Sequence, residues 1–582
     1  MEKLKKNYKS FLINLLVIFL LIFTSTAKAE KEWVLASSSN HWQARSMFGA
    51  TLFTNNVWLT GGSSNFDGVN DEWKSENGVD WTLVTDDAPW GYRFAHQTVV
   101  FKDELWLYGG KTGEWVELPQ KDIWKSQNGV DWIWLNNNAP WLRRDNHGCI
   151  VYSNKVWILG GGCATNDLDL STIITNDVWS STDGLNWKSE TSAAQWAPRT
   201  EFSALTFNGK MWVIGGFIHF YEKPDVRFSD VWSSSDGTNW TLVTDNAPWG
   251  KRSSGEVVVY ENKMFLLGGY TDSESWKNDV WTSQDGSNWT LETAAAPWHP
   301  RAGHRCLVKD DTIWLMGGYN NGNYGNGVWI YGDKPNINVS GNGNIITNGS
   351  QNPNLTDGTF FGSAMTYGHS VTQTFLIEAT GKIPLSSDIS ISNSSAFSIL
   401  SGKNLVTAPN SSSIFSIVFS PETAGTTTGS VHVLNNSSNS PNFSFLISGE
   451  GILSPPPIIK ITGNDDFGEV DISDDAVTNF FTIENSGGDL LEINNFFISN
   501  STAFSFIDTT IFPVPPDTST VFEIAFNPEN VGFSTGIVYI LNNSTNAANY
   551  FFSVIGEGVP EPAFIWIIGL LLIKFGVAAR KL

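Results

Sequence analysis

The sequence predicts an all-β protein, a six-bladed β-propeller followed by two β-sandwiches, and three observations carry that reading. One unit recurs six times, led by Arg45, Arg93, Arg144, Arg199, Arg252 and Arg301, with glycine pairs beginning at Gly61, Gly109, Gly160, Gly215, Gly268 and Gly317. Both series advance by 48, 51, 55, 53 and 49 residues, and two markers that drift together mark a repeated unit. Each unit carries four short strand signals, the content of a propeller blade. The tryptophans then divide the chain: of 27, one is Trp566 and the rest lie between Trp33 and Trp329, with none from Gly332 to Pro562. A different kind of β structure, rich in Ser, Asn, Thr and Phe, follows the propeller.

The second unit shows how a blade is written. Thr98, Val99, Val100 and Phe101 form an apolar inner strand; Lys102, Asp103 and Glu104 turn it into Leu105, Trp106, Leu107 and Tyr108, which ends at Gly109 and Gly110. A variable loop leads to Asp122, Ile123 and Trp124. Asn128 and Gly129 are then expected to supply both left-handed residues of a tight hairpin before Trp132. The turn recurs at Asn77, Asp183, Asp236 and Asp285, each followed by Gly and, three residues after the Gly, by Trp81, Trp187, Trp240 or Trp289.

The sixth unit lacks that last strand and leaves the pattern at Asp333. Near the other end of the chain, Trp33 and then Trp42 to Arg45 match Trp81 and then Trp90 to Arg93. The N-terminal strand is therefore expected to be the outermost strand of the last blade, closing the ring and covering a sheet edge. These repeats resemble the kelch family, within the broad group that shares a propeller with galactose oxidase. The resemblance covers residues 30–333 and implies the fold; propellers of this kind host both enzymes and binding platforms.

Charge and termini bound the function. A net charge of -23 argues against nucleic acid as a partner. Cys149, Cys163 and Cys306 show no metal spacing, and Cys149 and Cys306 fall at the same place in their repeats, which suits burial. Residues 1–29 read as a secretory signal peptide: a basic stretch, an apolar run and a small-residue cleavage site at Ala27 and Ala29. At the other end, residues 559–582 hold Pro560, Glu561 and Pro562, an apolar run interrupted by Lys574, and then Arg580 and Lys581. This resembles the PEP-CTERM sorting signal of Gram-negative bacteria, which implies an exosortase-like partner and attachment at the cell envelope.

Between propeller and tail, residues 334–453 and 454–558 form two copies of a second unit. Phe415, Ile417, Phe419, Pro421 and Glu422 recur as Phe522, Ile524, Phe526, Pro528 and Glu529, and Leu434 to Ser437 recur as Leu541 to Ser544. Alternating Phe and Ile suit half-buried strands of a β-sandwich, and Pro455, Pro456 and Pro457 make a stiff spacer. The pattern is similar to the immunoglobulin-like domains of the abnormal-spindle/hydin group, which implies a stalk.

Candidate ligand residues follow from blade geometry. The loop joining consecutive blades and the loop after each Gly-Gly share the top face, which places the six arginines near the channel mouth with Trp42, Trp90, Trp141, Trp196, Trp249 and Trp298, each three residues before its Arg. Arg offers a planar fork to anions and Trp a flat surface to sugars, so Arg45, Arg93, Arg144, Arg199, Arg252, Arg301, Trp90, Trp141, Trp249 and Trp298 are candidate ligand-binding residues. The competing reading pairs the arginines with Asp71, Asp122, Asp177, Asp230 and Asp279 as blade architecture, leaving specificity to the variable loops at 163–175 and 217–229.

No catalytic residue, metal or cofactor is assigned. His96, His147 and His304 fall three after an Arg in different blades, and Ser181 to Trp187 is similar to the Asp-box of sialidases but one residue short. No GxSxG, HExxH or P-loop occurs. The expected function is an exported surface protein whose propeller recognises a carbohydrate or protein ligand. The alternative is a secreted carbohydrate-active enzyme (epimerase, lyase or oxidase), which would need an acid or base with a shifted pKa in a concave pocket; Glu201, Glu222 and Asp225 are the nearest acidic candidates.

Overall fold

The computed structural model describes residues 30–560 apart from 38–41, 66, 113–117, 137–138, 165–172, 221–222, 367–368, 393–394, 500–501 and 509–512. The predicted signal peptide, and Glu561 and Pro562 of the predicted sorting motif, lie outside these residues, while Pro560 is described and exposed. Among the described residues no helix is long and apolar enough to cross a membrane.

Six antiparallel sheets succeed one another along the chain, each with its first strand innermost, beginning at Gly49, Gln97, Gly148, Ser203, Glu256 and Arg305. Every inner strand packs against the inner strands of both neighbouring sheets, and the last packs against the first, so the ring is closed. Closure uses the N-terminus as expected. Lys31–Ser37 pairs antiparallel with Val328–Asp333 in register Trp33 to Tyr331 and Leu35 to Trp329. In this sheet Trp33 meets Trp298 edge-on at 6.0 Å, just as Trp240 meets Trp196 at 6.0 Å and Trp289 meets Trp249 at 6.0 Å.

The turn assignment is corrected. Left-handed pairs sit in the first hairpin of each blade, as at Thr54 and Asn55, Lys102 and Asp103, and Ser153 and Asn154. In the second hairpin only the glycine is left-handed, with φ of 76° at Gly129 and 77° at Gly237. The preceding Asn or Asp instead accepts backbone N–H bonds, as when Asp236 Oδ1 binds the amides of Thr238 and Asn239 at 2.9 and 2.8 Å. A serine two residues earlier accepts from the glycine, Gly237 N to Ser234 Oγ at 2.8 Å. Side-chain acceptors thus close a longer loop that an Asn-Gly hairpin would not need.

These turns also hold the blades together, because each glycine faces a tryptophan of the neighbouring blade. A Cβ on Gly237 would stand 2.1 Å from Trp157, and one on Gly129 2.4 Å from Trp58. Gly237→Ala therefore combines a left-handed alanine with a ring clash, and is expected to cost roughly 2–4 kcal/mol, read as a lowered midpoint in urea unfolding. A midpoint equal to wild type would show that the turn does not bear on Trp157.

The sandwiches each contain two sheets. The first joins strands from Asn336–Gly341 to Asn442–Ile452 in two five-stranded sheets around Phe375, Phe415, Phe419 and Phe445. The second joins Ile459–Gly463 to Asn549–Val559 in two four-stranded sheets around Phe481, Phe504, Phe522 and Phe526. The repeated Leu-Asn-Asn-Ser has a common role: Asn435 Nδ2 donates to Val433 and Ser440 carbonyls, and Asn542 Nδ2 to those of Ile540 and Ala547, all within 3.1 Å. Ile383 of the first sandwich is fully buried in the propeller cluster containing Trp314 and Ile330.

Candidate functional site

The arginine and tryptophan positions are corrected by their burial. Arg45, Arg93, Arg144, Arg199, Arg252 and Arg301 are at most 8% exposed, and the tryptophans preceding them at most 3%. In five blades the guanidinium meets both oxygens of one aspartate: Arg144 Nη1 and Nη2 lie 3.0 and 2.9 Å from Asp177, and Arg93 2.7 and 2.7 Å from Asp122. Arg45, Arg199 and Arg252 take Asp71, Asp230 and Asp279 in the same way. A further Nη1 bond reaches the first carbonyl of the Gly-Gly, as from Arg144 to Gly160 at 2.8 Å. Trp141 and Trp249 pack edge-on to Trp187 and Trp289 at 5.9 and 6.0 Å, while Trp90 is enclosed with Trp124 and Trp132. Arg45, Arg93, Arg144, Arg199, Arg252, Trp90, Trp141, Trp249 and Trp298 build the blades and present no free face to a ligand. Arg301 alone has no carboxylate partner among the described residues.

The channel mouth is made two residues after each arginine. Met47, Ala95, Asn146, Glu201 and Ser254 all take left-handed φ between 46° and 55°, and Gly303 completes the set at 62°. Their backbones form a closed hydrogen-bonded circle. Each amide donates to the carbonyl of the previous blade's residue: Ala95 to Met47 at 2.7 Å, Asn146 to Ala95 at 3.0 Å, Glu201 to Asn146 at 3.2 Å, Ser254 to Glu201 at 2.9 Å, Gly303 to Ser254 at 2.9 Å and Met47 to Gly303 at 2.9 Å. Non-glycine residues in this conformation are strained, and the circle of bonds is what holds them there. Glu201 is the one ionisable side chain on the circle.

Above the circle opens a pocket of about 440 Å³ whose walls come from the loops that follow Gly-Gly. Six aromatic residues line it: Phe94, Phe217, Tyr270, Trp276, Tyr319 and Tyr324. Tyr270 and Trp276 stand 4.8 Å apart, Trp276 and Tyr319 6.1 Å, and Tyr319 and Tyr324 5.0 Å. Polar groups gather at its floor. Glu201 accepts a hydrogen bond from Ser254 Oγ, and Arg227 lies 4.8 Å from the Tyr270 ring and 5.5 Å from that of Phe217. Arg227 approaches Asp272 and Asp225 only loosely, at 3.6 and 3.9 Å, and its buried Nε has no partner among the described residues. Desolvation pushes the Glu201 carboxyl above the usual range, outweighing the Ser254 hydrogen bond and the Arg227 charge that favour ionisation.

Of the acidic candidates, Glu201 is thus in the pocket. Asp225 does not line it and is hydrogen-bonded to His219 at 2.7 Å, and Glu222 is outside the described residues. Of the variable loops, the one at 217–229 contributes Phe217 and Arg227 to the pocket, from the paired strands Phe217–Phe220 and Lys223–Arg227. His96, His147 and His304 sit separately around the axis, and burial holds all three below their ordinary value, His304 at about 3. Among the described residues no three His, Cys, Asp or Glu side chains are grouped to hold a metal ion. The three cysteines are free thiols, pushed upward by burial and so poor nucleophiles. The left-handed position after Ser46, Phe94, Asp145, Thr200, Ser253 and Ala302 carries no consensus side chain, so the signal that could have found Glu201 was its being charged where the other repeats are not.

No protein-family model matches the chain. Over 73 residues, 12% of the chain, it is 34% identical to the kelch repeat protein M-T8 of Myxoma virus (strain Lausanne), and that stretch spans 13% of the viral protein's length. The solved structure of YjhT is 16% identical, with a TM-score of 0.41 over 50% of this chain and 95% of that one. The repeat is kelch-like, and its six sheets form a propeller.

Proposed function

We propose that the propeller is the recognition head of an exported surface protein, and that it binds a carbohydrate in the pocket above Glu201. The observation that carries this reading is the aromatic collar over a polar floor: flat rings suit the apolar faces of a pyranose, and Glu201, Ser254 and Arg227 suit its hydroxyls. The sandwiches serve as a stalk, and the signal peptide and PEP-CTERM-like tail address the chain to the envelope through an exosortase-like enzyme. Screening the full chain on a glycan array and then titrating the strongest sugar by calorimetry tests the assignment. Trp276→Ala is expected to weaken binding about 5- to 30-fold with an unchanged melting temperature, in line with about 1–2 kcal/mol for one stacked ring. A sugar whose affinity is unaffected by Trp276→Ala would place the ligand elsewhere.

One observation favours a second reading, in which the propeller acts on the sugar as an enzyme. A carboxyl raised by burial at the floor of a concave site keeps its proton to higher pH than an exposed one, the direction a general acid needs. Glu201→Gln separates the two. A binding head keeps its affinity within about tenfold through the retained amide, since one neutral hydrogen bond contributes about 1 kcal/mol. An enzyme that uses Glu201 as its acid loses turnover by about 10²–10⁴-fold with the sugar still bound.

A further inference from the structure

We propose that Arg301, with Trp329 beside it, forms a second binding site on the sixth blade and takes the carboxylate of an acidic sugar such as a uronate. In the other five blades the aspartate receives two guanidinium bonds and one indole bond. Trp73, Trp124, Trp179, Trp232 and Trp281 each donate Nε1 to the aspartate two residues before them, at 2.8, 2.7, 2.6, 2.8 and 2.9 Å. These donors are repeated in the sixth blade, where Trp329 again stands two residues on, but the aspartate position is Gly327. Arg301 keeps the pose of its counterparts: Nε reaches the His299 carbonyl at 3.0 Å, as Arg199 Nε reaches Ala197 at 3.0 Å, and Nη1 reaches the Gly317 carbonyl at 2.5 Å. Its Nη2 therefore points where the others meet a carboxylate oxygen, and among the described residues nothing accepts from it.

The surroundings fit a ligand carboxylate rather than a closed core. A Cβ built on Gly327 would stand in ordinary contact, 3.4 Å from Leu35, 3.6 Å from Trp329 Nε1 and 3.9 Å from the Ser37 carbonyl, so an aspartate side chain fits here without a clash, with Trp329 Nε1 beside it. Burial pulls the Arg301 guanidinium down to about 10, with no aspartate to offset it. An open pocket of about 390 Å³ borders Arg301 and is lined by His299, Asn320, Asn321, Asn323 and Tyr324. Amides and an imidazole around one fixed cation suit the ring hydroxyls of a sugar whose acid group is held by the arginine fork. This site shares Tyr319 and Tyr324 with the Glu201 pocket, but its cation is Arg301 and not Arg227.

The chain can be made to supply its own carboxylate, which gives a test that does not unfold it. Gly327→Asp should recreate the pair of the other blades. Wild-type full-length protein is titrated with glucuronate, galacturonate and neutral glucose, alongside Gly327→Asp and Arg227→Met. The expected result is uronate binding that weakens at least tenfold in Gly327→Asp and survives Arg227→Met, no Gly327-dependent response to glucose, and a higher melting temperature for ligand-free Gly327→Asp. The proposal is overturned if neither uronate binds the wild type at 10 mM, on the order of the weakest sugar sites, if binding is unchanged in Gly327→Asp, or if it is Arg227→Met that removes it. The last outcome would move the acid group to the Glu201 pocket and leave that assignment standing. Loss of glucose or glycan binding in Trp276→Ala, by contrast, bears only on the other site.

Discussion

A chain lacking residues 30–37 is expected to lose the cooperative thermal transition of its propeller while the sandwiches still melt as units. Lys31–Ser37 is the only strand of the sixth sheet that is distant in sequence from the other three, so its pairing to Val328–Asp333 ties the two ends of the propeller together. Deleting it exposes the backbone edge of Val328–Asp333, and removes Val34 and Ala36, both buried, and Trp33, which packs against Trp298 and Tyr331. Lys31 goes with it, and with it bonds to Tyr260 and Glu261 of the fifth blade. At about 1.5–3 kcal/mol for each large apolar side chain, plus the lost ladder, the cost is on the order of 5–10 kcal/mol, comparable to the whole stability of a typical domain. Differential scanning calorimetry and tryptophan fluorescence check the result. A synthetic peptide covering residues 30–37 should restore the transition when added in excess, because the strand is bound by pairing rather than by chain connectivity. A truncated chain that melts like its parent would show that the ring does not need this latch.

The latch was legible in the sequence because Trp33 occupies the position of Trp81, Trp240 and Trp289, and a tryptophan at a fixed place in a repeat has a fixed neighbour. The same logic made the Arg-Asp pairs readable as an alternative to ligand binding, and burial with pairing decides between them: five guanidinium heads repeated at one depth are used by the blade. The turn chemistry was misread for a local reason. An Asn-Gly pair suits a two-residue hairpin, but here the serine before it and the side-chain oxygen of Asn or Asp stabilise a five-residue loop, such as the one between Ile123–Ser126 and Trp132–Asn136. The circle at the channel mouth left no sequence trace, since it is built from backbone bonds that any residue forced into the left-handed region can make. Glu201 and Arg227 meet because the segment entering the fourth blade and that blade's own loop both line the pocket. Periodicity gives the order of blades but not the direction of a loop.

Asp177→Ala is expected to cost about 3–5 kcal/mol, because it leaves Arg144 charged, buried and without its carboxylate. Burial alone would raise the Asp177 carboxyl, yet the bonds and charge of Arg144, with Trp179 and Thr175, together outweigh it and hold the group below its ordinary 3.8. The sign of the pH effect follows from that direction. A carboxylate whose folded pKa is depressed contributes its full stabilisation above the unfolded value near 3.8, and loses it as pH falls through the lower folded value. Urea midpoints of wild type and Asp177→Ala should therefore differ most well above the ordinary 3.8 and draw together as the pH falls below it. Replacing both partners, as in Asp177→Ala with Arg144→Met, should recover part of the loss, since no charge is then left buried. The sixth blade presents the contrast: among the described residues Arg301 already stands without a carboxylate, and it borders the open pocket beside Asn320 and Tyr324. If Asp177→Ala cost less than about 1 kcal/mol at pH 7, the value of an exposed ion pair, the arginine forks would not hold the blades, and the contrast between five paired arginines and one unpaired would lose its physical meaning.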